Sequence, residues 1–209
     1  FFGEETGRTR DDADSLWLVD PIDGTKGFVR QYPFFSTQIA LMRGGQIVLG
    51  VSSGTMMDEL AWAARGEGAW LGDRRLQVSD IGELARAHVS AGNLVTIAAS
   101  ERWAALGRIV TEADRFRGYG DFYHYHRLAA GELDAVIESD VNILDIAALF
   151  VIVAVRMFIA GLGQIGAALR EVNWIDGDQV LAFGHPLFGL GPIDLPLTGA
   201  SVETLLPSL

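Results

Sequence analysis

Residues 16–25 read LWLVDPIDGT, an apolar run that ends in a turn with two acidic side chains. Polar residues bound the run 16–19 on both sides, which is the pattern of a buried β-strand. Asp20 directly follows this run, and sheet proteins commonly place their functional sites at such strand ends. Pro21 stiffens the chain where it leaves the strand. The stretch therefore predicts a buried strand that carries a carboxylate into a site.

A second carboxylate follows three residues later. Asp23 is close enough in sequence to converge with Asp20, and Gly24 and Thr25 can expose backbone N–H groups in the turn. Two converging carboxylates repel each other unless a cation lies between them. Ligand sets made only of oxygen select a hard ion, and magnesium is favoured over zinc. The pattern therefore indicates a magnesium site, although an Asp-Gly pair is also a common surface turn.

Strands and helices alternate irregularly on either side of this turn. The apolar patterns predict further strands at 35–40, 46–51, 59–64 and 69–71, with a hairpin turn at Gly44-Gly45. They predict helices at 102–112, 123–130 and 146–155. This order is typical of a layered α/β or α+β protein with a mixed sheet.

Composition excludes several classes of protein. The 209 residues are 49% hydrophobic and 21% charged, as in a globular chain rather than a disordered or coiled-coil one. With 27 acidic and 16 basic residues the net charge is -11, and such a surface repels nucleic acid and anionic lipid. The apolar run 146–155 is about half the ~20 residues that cross a bilayer, so it predicts a buried helix and no membrane span. The absence of cysteine excludes disulfides and thiol nucleophiles.

Three further acidic features lie far apart in the sequence. They are Gly3-Glu4-Glu5, Gly120-Asp121 and Glu138, which stands seven residues before Asp145. Taken singly, each is typical of a turn or of a solvated surface. His124 and His126 lie two residues apart on a predicted helix, so they point to different faces and are not expected to share a metal. Both are interpreted as surface histidines or as histidines with satisfied hydrogen bonds.

Together these features resemble the inositol monophosphatase family of magnesium-dependent phosphatases. The resemblance is carried by Gly3-Glu4-Glu5, residues 17–25 and residues 144–148, and it extends over about residues 1–153. It implies an α/β (α+β) layered sandwich of the inositol monophosphatase or sugar phosphatase type. It also implies two or three Mg2+ ions, with the ligands Glu4, Asp20, the Ile22 carbonyl, Asp23 and Asp145.

The same resemblance implies roles in the hydrolysis of a phosphate monoester. Glu4 and Thr25 would orient the attacking water, and Asp23 would be a further catalytic residue. The Gly24 and Thr25 amides would hold the phosphate. Because metal ions can activate water and stabilise the leaving oxygen, this chemistry requires no covalent phosphoenzyme.

Two segments bear on the substrate. Residues 90–94 and 117–122 look most like the histidinol-phosphatase branch of the family. Histidinol phosphate carries an ammonium group, and the Asp121 carboxylate would be a natural partner for it, with Glu138 as a second contact. Asp121 has an alternative role as the cap of a helix that begins near Phe122, and the two roles are compatible. Inositol monophosphatase is the alternative function, and an inactive remnant of the family is another.

Charged residues become sparse after about residue 150. Residues 1–153 are therefore expected to form the phosphatase region, and residues 154–209 an atypical, chimeric-looking C-terminal segment. Residues 172–209 resemble part of a sporulation-type serine peptidase domain without its serine motif. The phosphatase region is expected to be truncated at its N-terminus, ahead of Gly3. The expected partner is a small phosphorylated metabolite. The expected role is in histidine biosynthesis in the cytoplasm, and a homodimer is one expected assembly.

Overall fold

The computed structural model describes residues 1–4, 7–8, 14–100, 102–139, 141–154 and 180–184. The strands of these residues form two sheets, one with eight strands and one with four. The fold is a layered α/β structure, as the sequence predicted.

The eight-stranded sheet contains the quoted stretch. Its strands are β1 Phe2–Gly3, β2 Gly7–Arg8, β3 Ser15–Asp23, β4 Ser36–Arg43, β5 Gln46–Gly54, β6 Glu59–Ala64, β7 Gly68–Leu71 and β8 Arg74–Arg75. Strands β3 to β8 form an antiparallel meander, and β1 pairs in parallel with β3. The predicted meander is confirmed, and β3 extends beyond the predicted strand to include both acidic side chains of the turn.

The four-stranded sheet has the order β10-β9-β11-β12. Its strands are β9 His88–Ala91, β10 Arg115–Arg117, β11 Ala135–Ser139 and β12 Val180–Gly184. The helices are α1 Thr25–Val29, α2 Leu94–Ala98, α3 Trp103–Glu112, α4 Asp121–Ala129 and α5 Ile143–Ala154. Since β9 pairs in parallel with both neighbours and β11 pairs antiparallel with β12, this sheet is mixed.

Helices α4 and α5 lie between the two sheets. Helix α5 packs on β3 to β7, and α4 contacts both α5 and β11. Strand β11 is buried on both faces: Val136 packs with α4 and α5, whereas Ala135 and Ile137 pack with residues of α2 and α3. The layers are therefore the large sheet, α4 with α5, the small sheet, and α2 with α3.

One glycine permits the close approach of α5 to the large sheet. A Cβ atom on Gly50 of β5 would lie 2.4 Å from the backbone oxygen of Ala148 in α5. No other residue fits at this distance without a shift of the helix or the strand. Gly50 therefore determines how deeply α5 seats on the sheet.

Two helices begin earlier than the sequence predicted. Helix α4 begins at Asp121 instead of residue 123, and α5 begins at Ile143 instead of residue 146. In both helices a polar residue, Asp121 or Asp145, interrupts the apolar pattern ahead of the predicted start. Among the helices of the described residues, none has the length and apolar character required to cross a bilayer.

Candidate active site

The alternation of β3 delivers Asp20 to the interior. Leu16 and Leu18 are each 1% exposed and Trp17 is 45% exposed, so the inward positions are the even-numbered ones. Asp20 continues this inward set and is 2% exposed. The side chain thus emerges at the buried face of the sheet, as the sequence predicted.

A β-bulge brings Asp23 to the same side as Asp20. Residues three apart on a regular strand face opposite sides of the sheet. Here the pairing of β3 with β4 slips between Asp20 and Asp23, and residues 21–22 lie opposite Thr37 alone. The extra residue reverses the alternation, so both carboxylates face the same site. Pro21 suits this bulge because it has no N–H group to offer to the ladder.

The turn after Asp20 is held by its own polar groups. Asp20 Oδ1 accepts a 2.9 Å hydrogen bond from the Ile22 N–H, and Thr25 Oγ1 donates one of 2.9 Å to the Ile22 carbonyl oxygen. Gly24 has φ of 82°, a left-handed conformation that favours glycine, and it precedes the first residue of α1. The Ile22 carbonyl and Thr25, both predicted site residues, are therefore bonded to each other.

Asp145 reaches the site from the first turn of α5. The Asn142 N–H and Nδ2 donate to its two carboxylate oxygens, each at 2.8 Å, and Asn142 Oδ1 accepts from the Leu144 N–H at 2.7 Å. These reciprocal bonds form a capping box, which starts the helix at Ile143 and holds the Asp145 carboxylate. The Asn-x-x-Asp spacing ahead of an apolar run was a signal in the sequence for this helix start.

Asp20, Asp23 and Asp145 form one group. A ligand oxygen from each lies within 4.8 Å of the others, which among the described residues is the set suited to a metal ion. Burial, together with the charges of Asp145, Asp121 and Asp20, raises the pKa of Asp23 to about 8. The donor set is entirely oxygen and carries excess negative charge, so it fits a hard divalent cation such as Mg2+.

Two residues that the sequence analysis did not identify hold Asp23. Ser36 Oγ donates to Asp23 Oδ2 at 2.9 Å, and Gln38 Nε2 lies 3.4 Å from the same oxygen. Both lie on β4, and both are buried. No local pattern marks them, because their role depends on the register between β3 and β4.

A cavity of about 140 Å³ adjoins the three-carboxylate group. It shares Asp23 and Asp145 with that group and is further lined by Gly92, Asn93, Gly120, Asp121, Tyr125, Glu138, Val141, Ile146 and Leu149. Among these described lining residues, every charged side chain is acidic. The cavity therefore favours a ligand with a positive group close to the three-carboxylate group.

Asp121 is part of this cavity and is not the cap of α4. Gly120 occupies the cap position with no side-chain cap hydrogen bond, and Asp121 is the first helical residue, with φ of 48°. The expectation that Asp121 caps a helix near Phe122 is therefore wrong. Burial and the nearby Glu138 charge raise the pKa of Asp121, and His124 opposes this effect.

Glu138 is held at the cavity by a buried histidine. Ser90 Oγ lies 3.2 Å from His124 Nδ1, and His124 Nε2 lies 3.0 Å from Glu138 Oε2. Glu138 is 3% exposed, and its Oε1 atom has no hydrogen-bond partner among the described residues. A buried carboxylate oxygen without a partner, in the wall of a cavity, is well suited to a cationic or hydroxyl-bearing ligand.

His124 and His126 point to different faces of α4, as predicted. His126 lies 2.9 Å from Glu59 and 2.8 Å from Ser52, on the side of the large sheet. Both histidines are buried, so the surface alternative is wrong. The interpretation as a histidine with satisfied hydrogen bonds is confirmed for His126, whose two ring nitrogens both have partners. It does not hold for His124, because its Nε2 atom faces Glu138 without a hydrogen bond among the described residues.

Glu4 lies outside the three-carboxylate group. It directly follows β1, whose last residue Gly3 pairs with Val19, and its side chain is exposed. Gly24 adjoins the cavity, since a Cβ atom on it would lie 3.4 Å from Asp121 Oδ1. The roles predicted for Glu4, Ile22, Gly24 and Thr25 stay predictions, as do those of the acidic residues.

Comparison with known proteins identifies the family. The model of the inositol monophosphatase family matches residues 1–154. A histidinol-phosphatase of Mycobacterium tuberculosis is 38% identical over an alignment of 162 residues, and the match covers 72% of this chain and 60% of the relative. An inositol-1-monophosphatase of Mesorhizobium japonicum is 36% identical over an alignment of 152 residues, and the match covers 71% of this chain and 57% of the relative. The chain thus spans less than two thirds of the length of these relatives.

Solved structures agree with the sequence relatives. The extragenic suppressor protein suhB from Bartonella henselae has a TM-score of 0.67 at 32% identity, covering 74% of this chain and 61% of its own. An inositol monophosphatase from Anabaena has a TM-score of 0.66 at 28% identity, covering 73% and 62%. The peptidase resemblance of residues 172–209 receives no support from these comparisons, and apart from Val180–Gly184 that segment lies outside the described residues. The family match, the shared fold and the acidic site together establish that this chain belongs to the inositol monophosphatase family.

Proposed function

We propose that the chain is a magnesium-dependent phosphate monoesterase that acts on histidinol phosphate. The observation that carries the proposal is the arrangement of Asp20, Asp23 and Asp145 beside a cavity that contains Asp121 and Glu138. The first group suits a hard cation, and the second suits a positive group on the substrate. Histidinol phosphate combines a phosphate with an ammonium group and so matches both.

The proposed roles divide between the cation and the substrate. Asp20, Asp23 and Asp145 would hold Mg2+, with the Ile22 carbonyl and Glu4 as further ligands. When bound, Mg2+ supplies charge neutralisation at the phosphoryl oxygens and activates water for attack. The number of ions, two or three, is part of this proposal.

The remaining residues would bind and orient the substrate. The N–H groups of Gly24 and Thr25 would hold the phosphate, since the first amides of a helix have no partners within it. Thr25 and Glu4 would orient the attacking water. Asp121 and Glu138 would receive the ammonium end of the substrate, and their excess negative charge would favour it over a neutral polyol.

Inositol monophosphate is the alternative substrate, because relatives with both names match the chain at similar identity. Glu138 would serve either substrate, since a carboxylate also accepts hydrogen bonds from hydroxyl groups. Asp121 is the residue that favours histidinol phosphate. An inactive remnant of the family is a further alternative. The proposed assembly is a homodimer, and the proposed domain boundary lies between residues 153 and 154.

The test compares phosphate release from histidinol phosphate and from inositol 1-phosphate with Mg2+ present. Asp23→Asn is expected to abolish release from both esters. Asp121→Asn is expected to lower kcat/KM for histidinol phosphate by about 10–100-fold, because a hydrogen bond to a charged group contributes ~1.5–3 kcal/mol. Asp114→Asn is a matched control, since Asp114 is exposed and pairs with His88.

Three results would count against the proposal. Preference of the unaltered chain for inositol 1-phosphate would favour the alternative substrate. Equal losses on both esters in Asp121→Asn would remove the role of Asp121 in selecting the ammonium group. Absence of release from either ester would favour an inactive remnant.

A further inference from the structure

A series of buried polar side chains leads away from Asp23 through the large sheet. Ser36 Oγ donates to Asp23 Oδ2 at 2.9 Å, and Gln38 Nε2 lies 2.7 Å from Ser36 Oγ. The same Gln38 nitrogen lies 3.1 Å from Ser52 Oγ on β5. Ser36, Gln38 and Ser52 are each no more than 2% exposed. Such buried polar groups are retained where their hydrogen bonds define a geometry.

The series of polar side chains continues from Ser52 to the ion pair of Glu59 and Arg127. Ser52 Oγ lies 2.8 Å from His126 Nε2, and His126 Nδ1 lies 2.9 Å from Glu59 Oε2. Arg127 pairs with the other oxygen of Glu59. His126 is fully buried. These hydrogen bonds connect a half-buried ion pair to Asp23 through side chains from β4, β5, β6 and α4.

The available protons determine the direction of these bonds. The Gln38 amide nitrogen carries two hydrogens, one for each serine oxygen. Each serine hydroxyl then donates a hydrogen bond of its own, Ser36 to Asp23 and Ser52 to His126 Nε2. His126 Nδ1 carries the ring proton and donates it to Glu59, whose carboxylate can only accept.

The orientation of the Gln38 amide decides whether Asp23 has a donor. With the amide reversed, both serine hydroxyls would turn toward Gln38 Oε1, and Ser36 would no longer donate to Asp23. In the observed orientation Oε1 is buried without a hydrogen-bond partner among the described residues. Because a buried unpaired acceptor is unfavourable, the neighbours must hold the amide this way. His126 Nε2 holds the Gln38 amide in this orientation. Because it accepts the hydrogen bond of the Ser52 hydroxyl, Ser52 has no hydrogen to donate to Gln38 and can only accept from the Gln38 amide.

We propose that Gln38 is a positioning residue for the metal centre and that His126 and Glu59, acting through Ser52, select its orientation. The inference rests on the proposed function in that it takes Asp23 to be a metal ligand. Donation from Ser36 to Oδ2 holds the Asp23 carboxylate in one rotation, which would leave Oδ1 for a cation. Partners of metal-ligating groups commonly contribute about 10–100-fold in metal affinity.

The test measures the Kd for Mg2+ by calorimetry on the full chain without substrate. Gln38→Met keeps the length of the side chain but removes its donors, and it is expected to raise the Kd by about 10–100-fold. Ser52→Ala breaks the link to His126 and is expected to raise it by about 10-fold. Ser53→Ala is the matched control, because this neighbouring serine bonds only weakly, at 3.4 Å, to Thr55 and faces away. It is expected to leave the Kd unchanged.

Thermal unfolding of each variant without metal separates positioning from folding. The proposal requires a changed Kd in variants that unfold cooperatively near the Tm of the unaltered chain. A Kd within twofold of the unaltered chain in folded Gln38→Met and Ser52→Ala would overturn it. If Gln38→Met does not fold, Ser52→Ala, which deletes one hydroxyl, decides the question alone. Binding of Mg2+ without phosphate release would refute the proposed function but leave this comparison decisive.

Discussion

Asp23 combines a half-buried position with a neighbourhood of like charge. Its carboxylate lies beside Asp20 and Asp145, and its pKa is raised to about 8. Without a cation, the folded chain therefore keeps a proton on Asp23 at neutral pH, whereas the unfolded chain releases it near pH 4. This protonation stabilises the metal-free fold at low pH, and the contribution is lost as the pH rises toward 8. A cation held by Asp23 would replace the proton and reverse this dependence.

Mg2+ binding is therefore expected to release about one proton at pH 7 and to strengthen as the pH rises from 6 to 8. The reason is that Asp23 must ionise before it can bind the cation. Calorimetry in two buffers with different ionisation enthalpies measures the number of protons released. Asp114→Asn is the control and should behave like the unaltered chain. Binding without proton release, at an affinity independent of pH, would contradict the prediction.

At the scale of elements, two features locate the third carboxylate. The Asn142–Asp145 capping box determines where α5 begins, and Gly50 determines how closely α5 lies on β5. Both act on the same helix, which packs along five strands of the large sheet. The position of Asp145 relative to Asp20 and Asp23 thus depends on the start of α5 and on its packing against β5.

Gly50→Ala is expected to destabilise the fold by about 1–3 kcal/mol, because the added Cβ would meet backbone atoms of α5 that cannot turn aside. Urea unfolding measures this change. Gly107→Ala is the matched control, since a Cβ on Gly107 of α3 meets nothing within 4 Å. It is expected to be neutral or stabilising by up to about 1 kcal/mol. Equal stability of the two variants would show that α5 does not seat closely on Gly50.

At the scale of the whole molecule, the site draws on three layers. The large sheet contributes Asp20 and Asp23, the middle layer contributes Asp121 and Asp145, and the small sheet contributes Glu138. A cation between Asp23 and Asp145 would therefore join the large sheet to α5. Binding at such a junction stabilises the folded state by mass action.

Mg2+ at about 100 times its Kd is expected to stabilise the fold by ~2.7 kcal/mol, which corresponds to a rise in Tm of several degrees. Differential scanning calorimetry at constant ionic strength measures the rise. In Asp145→Asn the rise is expected to disappear, because one of the three carboxylates is lost. A rise of the same size with NaCl in place of Mg2+, or in Asp145→Asn, would argue against binding at this group.

Most of the large sheet could be predicted from local patterns, whereas much of the site could not. The meander follows from alternating apolar residues and glycine turns, which act over a few residues. The helix starts at Asp121 and Ile143 were missed, since they depend on Gly120 and Asn142 and not on apolar spacing. The burial of His124 also depends on the contact of α4 with β11, which no local pattern contains.

The residues 16–25 were enough to predict a buried strand at 16–19 that leads into a turn with two carboxylates, because a strand and its turn are specified by adjacent residues. Three features became visible in the folded chain alone: Asp145 lies beside these two carboxylates, Ser36 and Gln38 hold Asp23, and Asp121 shares a cavity with Glu138. These contacts connect residues far apart in the chain, and they form only when strand register, the bulge at residues 21–22 and the docking of α5 are all in place.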